Sequence, residues 1–398
     1  MQPWHEIELT EEFTIDKADQ VQTLVEYRAL ETRLFDEMDA QIYAHTPQGA
    51  EQILVRYSSG SAADPRALDP NWNQSYEIIP PNPRGAVLLL HGMSDGPYSL
   101  HALGKALGQA GYRVLGLRLP GHGAIPSGLL GVTWEDMAAA VRLGMRHLAG
   151  VMSGKPIHII GYSTGAALAL DFSLDARADG KYQEPASLVL ISPAVGLARV
   201  ASLTPWLVRL GQLPGLERLA WTAIMPEFDP FRYNSFTANA SLQVHRMTQG
   251  VTGRLRQLAN SGPIKDFPPT LVLLSAVDAT VSARAVADGL LKHLAPEHHE
   301  LVLYDINRFD LIAPLLITDA GGLTKRLLSD DTLPFAITFI RNASSDSREV
   351  LADYKPPFAA DFTASESLEV AWPDDVIALS HVALPFPPDD LLYGRQPP

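Results

Sequence analysis

The chain has 398 residues, 46% of them hydrophobic and 19% charged, which gives ample material for a core and is too apolar for a disordered chain. Thirty-one Lys and Arg against 45 Asp and Glu leave a formal charge of −14 with no basic cluster, which excludes nucleic acid as a general partner and electrostatic docking on an anionic membrane. Cysteine is absent, so disulfides, thiolate metal sites and a cysteine nucleophile are excluded together.

The opening residues, MQPWHEIELTEEF, are acidic and hold no apolar h-region, so they do not read as a secretory leader. The stretch Ala186–Ala198 is apolar or small but stops at Arg199, short of the roughly 18 residues a membrane span needs. The chain as written is expected in the cytoplasm, although a removed leader or anchor would leave no trace. Residues 14–44 read as a helix, with Val21, Leu24, Val25, Leu30, Leu34, Phe35, Met38 and Ile42 apolar, packed on the main domain. Residues 58–84 are rich in turn formers, with one strand around Ser75–Ile79.

From residue 85 the pattern becomes regular. Ala86–Leu90 reads as a strand entering HGMSDGPYSL, followed by a helix over Leu100–Ala110 and a strand over Tyr112–Leu119 that ends in PGHG. Thr133 and Asp136 have capping-box spacing for a helix to about Leu148. Pro156–Ile160 is a strand, GYSTG follows, and a helix covers Thr164–Leu174. Ser187–Ser192, Thr270–Ser275 and Glu300–Asp305 are further strands, with a helix over Ser282–Leu294. Apolar strands alternating with helices mean an α/β fold, its mainly parallel central sheet covered on both faces.

Residues 194–266 and 306–375 interrupt the alternation. The first carries apolar residues at helical spacing, among them Trp206, Leu210 and Trp221; the second holds a strand at Phe335–Arg341. Both read as insertions in one domain. The expected organisation is an N-terminal helical extension, 1–74, and an α/β domain, 75–398.

Gly161-Tyr162-Ser163-Thr164-Gly165 is a G-x-S-x-G. Composition alone would produce one by chance about 0.1 times in such a chain. Here it follows an apolar strand and opens a small-residue helix, the strand–turn–helix that a nucleophile elbow requires. The bland alternative is a plain turn with an idle serine. A serine hydroxyl needs a base, and the base needs a partner to fix its tautomer. In this arrangement acid and histidine follow the serine in chain order. Asp278 lies just beyond the strand Thr270–Ser275, whereas PAVGLARV, after the preceding strand, holds no carboxylate. Its bland role is a turn residue. Of the four histidines after it, His293 falls within a helix and His298 and His299 precede a strand. His381 follows the run Val376–Leu379, read as a strand, at the carboxyl end where catalytic groups gather.

The oxyanion hole needs two N–H donors. Thr164, after the nucleophile, supplies one, and Met93, in the loop after Ala86–Leu90, the other. His91 reads as structural, and His122 as a turn or surface residue that could instead line the site. No metal-ligand spacing and no phosphate-binding glycine loop is present, so neither a metal nor a cofactor is expected.

HGMSDGPYS, RLPGHG, TWEDM, GYSTG and the Asp278 turn together resemble the α/β-hydrolase superfamily, most closely its monoacylglycerol-lipase, serine-aminopeptidase and carboxylesterase branch. The resemblance covers about residues 75–305 and the segment around His381. It implies a helical cap over residues 194–266. The expected activity is hydrolysis of a small-molecule or lipid-like ester through an acyl-enzyme on Ser163. The alternatives are amide, thioester or C–C hydrolysis on the same residues, for which Glu227 or Asp229 could grip a substrate amine, and a non-catalytic binding protein. Oligomeric state is not legible.

Overall fold

The computed structural model describes residues 1–195, 211, 215–278, 280–309, 320–373, 376–379, 386–390 and 392–394. In chain order the main elements begin with α1 (Leu24–Gln41), β1 (Tyr76–Ile78), β2 (Gly85–Leu90), α2 (His101–Gln109), β3 (Tyr112–Leu117), α3 (Trp134–Met152), β4 (Ile157–Tyr162) and α4 (Thr164–Asp179). They continue with β5 (Ser187–Ile191), β6 (Trp221–Ala223), β7 (Phe236–Thr237), α5 (Ala238–Ala259), β8 (Thr270–Ser275), α6 (Ala283–Gly289) and β9 (His299–Tyr304). Last come α7 (Ala320–Leu328), β10 (Ala336–Asn342), β11 (Glu349–Lys355) and β12 (Ala364–Ala371). No described helix is long and apolar enough to cross a membrane.

The chain divides into two compact units. One holds Met1–Pro185, Arg199–Met247 and Leu384–Pro398; the other holds Ala186–Ala198 and Thr248–Ala383. In the first, the strand order is β1-β3-β2-β4. There β2 runs parallel to β3 and β4, and β1 is antiparallel to β3. Every residue of β2 is buried, as an unbroken apolar run requires when both faces are covered. The α3 capping box forms as its spacing predicts: Thr133 N–H donates to the Asp136 carboxylate and Asp136 N–H to the Thr133 hydroxyl.

In the second unit the order is β5-β8-β9-β10-β11-β12. The first four are parallel, and β11 and β12 are added antiparallel. Sequence reading finds β10 but neither β11 nor β12. It also reads Val376–Leu379 as a strand, which the structure corrects. Val376 closes a turn onto the Pro373 carbonyl, and Asn307 takes the next carbonyls, its N–H donating to Ile377 at 2.6 Å and its side-chain amide to Val376 at 3.0 Å. With those acceptors used, no ladder forms. Val376 and Leu379 pack instead on Ile340, Val350 and Trp372.

The N-terminal helix starts later than its periodicity suggests. Thr23 and Glu26 form a capping box that sets the first turn of α1, and Ile15–Lys17 make a separate 3-10 turn. Leu24, Tyr27, Leu30, Leu34, Phe35 and Met38 are buried. Val25, expected on the same stripe, is 77% exposed because it follows Leu24 by one residue, about 100° around the helix.

This extension grips the residue just after β3. The Arg118 guanidinium is fully buried; it donates to Glu12 at 2.8 and 2.9 Å, to Glu31 at 3.0 Å and to the His122 carbonyl at 2.9 Å. Burial pushes the Glu12 carboxyl up, but the Arg118 charge and the amides of Gly121 and Phe13 outweigh it and hold it below the usual range. For Glu31 burial wins and the carboxyl is raised. Glu12 therefore contributes stability that is present above its ordinary pKa and lost as pH falls. Removing Arg118 leaves the buried Glu31 and the half-buried Glu12 without a cation. Arg118→Met is expected to destabilise the fold by about 3–5 kcal/mol in urea unfolding at pH 8. In that variant Glu31, already raised by burial, loses the cation that opposed the shift, and Glu12 loses the largest influence holding it down, so the folded form binds more protons than in the parent. The loss should shrink as pH is lowered toward 5, and an unchanged difference would contradict this account.

Candidate active site

Ile157, Ile159 and Ile160 are buried and carry β4 into the core, and α4 begins at Thr164. Ser163 is the single residue between Tyr162 and that helix, with φ 52° and ψ −110°. A non-glycine residue at positive φ costs about 1–3 kcal/mol and persists only where the surroundings dictate it. The flanking glycines show what does so. A Cβ on Gly161 would lie 2.5 Å from the Ala166 nitrogen, and one on Gly165 would lie 2.1 Å from the Leu90 carbonyl oxygen. The end of β4, the start of α4 and the end of β2 are thus in direct backbone contact. That contact leaves the serine no relaxed alternative.

Thr164 is the first residue of α4, so its N–H has no acceptor within the helix and lies at the positive end of the helix dipole. Gly92 packs its backbone against the Tyr162 ring, where an added Cβ would meet ring carbons at 3.0 Å. That contact brings the His91–Gly96 loop to the residue preceding Ser163. Met93 is half-buried in this loop, and the residue after it, Ser94, is also left-handed at φ 69°.

Asp278 follows β8, its N–H donating to the Ser275 carbonyl. One carboxylate oxygen accepts the N–H groups of Thr280 and Val281, both at 2.8 Å. The other accepts the Ser192 hydroxyl at 3.0 Å. Its turn role is therefore real, and it leaves the second oxygen held by a serine that sequence reading passes over. Ser192 follows β5 directly and has φ 43°. No local motif marks it, because its partner lies 86 residues on. Ser380 and His381 lie outside the described residues.

The profile of the family described as "Serine aminopeptidase, S33" matches residues 81–312, more than half of the chain. The chain belongs to that family. It is an α/β hydrolase of the group that includes lipases and esterases. A thermostable monoacylglycerol lipase of Bacillus sp. strain H-257 is 25% identical over 236 residues, 58% of this chain and 86% of that protein. A monoacylglycerol lipase of Mycolicibacterium smegmatis is 29% identical over 210 residues, 50% of this chain and 71% of that one. The crystal structure of Paleococcus ferrophilus monoacylglycerol lipase aligns with a TM-score of 0.44 at 19% identity, covering 58% of this chain and 88% of that chain.

In this S33-family hydrolase His91 is committed to the scaffold. His91 Nε2 accepts the Leu119 N–H at 3.0 Å, so its proton sits on Nδ1 and is donated to the Gly92 carbonyl at 2.9 Å. Burial, with His122 alongside, holds the ring far below its ordinary pKa. His122 is not a surface residue: it is fully buried, and burial pushes it down to about 4. The PGHG turn is buried because Tyr233, Glu12 and Arg118 all bond to it.

The described part of residues 194–266, expected to form a helical cap, includes a strand pair. Trp206 and Leu210 lie outside the described residues. Trp221 sits in β6, paired with β7, and meets the His5 ring edge-on at 5.1 Å. The long helix of the region is α5. Glu227 is buried, accepting the amides of Asn234 and Ser235, and Asp229 accepts the amides of Phe231 and Arg232 and the Tyr393 hydroxyl.

Proposed function

We propose that the chain hydrolyses carboxylic esters through an acyl-enzyme. Ser163 Oγ attacks the carbonyl carbon. His381 takes the serine proton and passes it to the leaving alcohol. Asp278, steadied by Ser192, orients His381 and offsets its charge. The N–H groups of Met93 and Thr164 receive the negative oxygen. Water, deprotonated by His381, then releases the acid and restores Ser163. The observation that carries this reading is Ser163 held at φ 52° between β4 and α4, a strained conformation the packing imposes where an idle serine would need none.

The lipase names of the two relatives make a monoacylglycerol or another small lipid-like ester the first substrate to test. An aminopeptidase needs an anionic grip for the substrate amine. Glu227 and Asp229, the acidic residues noted for that task, are already engaged in the fold, which supports the ester over the peptide. The test is a panel of p-nitrophenyl esters of increasing chain length, a monoacylglycerol and an aminoacyl anilide. Ester turnover should exceed anilide turnover by a factor of 100 or more, on the order of one polar grip's discrimination. Preferred turnover of the anilide would overturn the ester assignment while leaving the nucleophile intact.

A further inference from the structure

The C-terminal segment around Asp390 lies beyond residue 312, where the family match ends. Its carboxylate is 5% exposed, yet it faces no Lys or Arg among the described residues. Both its oxygens accept the Tyr98 hydroxyl at 3.0 Å, and one also takes the amides of Leu392 and Tyr393. His101 Nε2 stands 3.7 Å away. The Tyr98 ring is clasped between two others, stacked on Phe231 at 3.8 Å and on His101 at 4.0 Å.

Tyr98 is five residues beyond Met93, in the 3-10 turn Pro97–Leu100 that directly follows the same loop. That loop is held at one further point, and the C-terminal segment is itself tied down. The Ser94 carbonyl accepts the Tyr233 N–H at 2.8 Å, and Tyr393 ties the C-terminal segment to Asp229 at 2.7 Å. Three stretches therefore close on one another: 94–98, 229–233 and the C-terminal residues Asp390, Leu392 and Tyr393. Ser94 needs this closure. Its φ of 69° is strained for a serine, and such strain relaxes when the contacts around it are loosened. Relaxation there would re-aim the backbone on either side of Met93.

We propose that Asp390 is a positioning residue for catalysis: by anchoring Tyr98 it holds the strained loop in the conformation that aims the Met93 N–H at the developing oxyanion. This rests on the ester-hydrolase reading for its catalytic half only. Aim matters because a donor misplaced by about 1 Å loses much of its effect, and a lost oxyanion donor lowers kcat by about 10²–10³-fold.

The experiment compares the full chain with Asp390→Ala, Asp390→Asn, Tyr98→Phe and the Asp390→Ala/Tyr98→Phe pair. Hydrolysis of p-nitrophenyl butyrate, affinity for a trifluoromethyl ketone and amide hydrogen exchange are measured on each. Asp390→Ala and Tyr98→Phe should each lower kcat by about 10–100-fold with KM within about twofold, and weaken the ketone by a similar factor. The pair should be no worse than Asp390→Ala, since one lock is broken either way. Asp390→Asn keeps an acceptor for Tyr98 and should recover most of the rate. Exchange should rise at residues 92–96 while that of β2 and α4 stays constant. Unchanged exchange in this loop, or kcat within twofold of the parent in Asp390→Ala, would overturn the proposal. So would a fall in melting temperature with the ketone affinity unchanged. If the parent itself turns over no ester and binds no ketone, the ester reading fails, and the exchange data still decide whether Asp390 holds the loop.

Discussion

Ser163→Ala is expected to lower kcat for ester hydrolysis by about 10⁴-fold or more, because the proposed mechanism forms the acyl-enzyme on Ser163. A fluorophosphonate should label the parent protein at one serine, mapped to Ser163, and leave the variant unlabelled. The fold should be untouched, since alanine at this position carries the same Cβ and the same positive φ. Ser163→Gly provides an internal control for the strain. It deletes the hydroxyl and relieves the backbone at φ 52°, so it should be equally inactive yet melt no lower than the parent. Labelling that persists in Ser163→Ala would remove the serine from the mechanism.

His381→Ala is expected to fall nearly as far, on the order of 10⁴-fold in kcat, because the members of a triad act as a unit. The competitors are poorly placed. His293 closes a 3-10 turn over Leu291–His293; His298 and His299 stand at the start of β9. Burial pushes His299 down to about 4, where it is a weak base at neutral pH. His298→Ala and His299→Ala should stay within a few-fold of the parent, and imidazole added to His381→Ala should restore part of the rate. Near-normal turnover by His381→Ala would shift the assignment to His122, whose Nε2 is buried with no partner among the described residues.

The parts of this protein that are legible in the sequence are those whose cause is local. Gly161, Ser163 and Gly165 span five residues, so the elbow is written in one pentapeptide, and the Thr133–Asp136 box is written in four. The continuous apolar run of β2 states its own burial. What escapes sequence reading depends on partners far along the chain or on no burial at all. β12 is exposed at all eight positions, and its only large apolar residues, Leu368 and Val370, give too short an alternation to reveal it. Ser192 meets Asp278, and Tyr98 meets Asp390 across 292 residues, through side chains that any surface turn could carry. Val376–Leu379 fails in the opposite sense: its apolar character suggests a strand, and its carbonyls are claimed by Asn307.

The Arg118 network bears on where this protein can be cut. The family match opens at residue 81, which suggests a catalytic module that could be excised at that point. Arg118 lies within the match, whereas Glu12 and Glu31 precede it, at sequence distances of 106 and 87. A chain beginning at residue 81 would keep a guanidinium in the interior and lose both of its counter-charges. The boundary of recognisable ancestry and the boundary of the self-sufficient folding unit therefore do not coincide. The first forty residues belong to the hydrolase as a subunit-like brace that happens to be covalently attached.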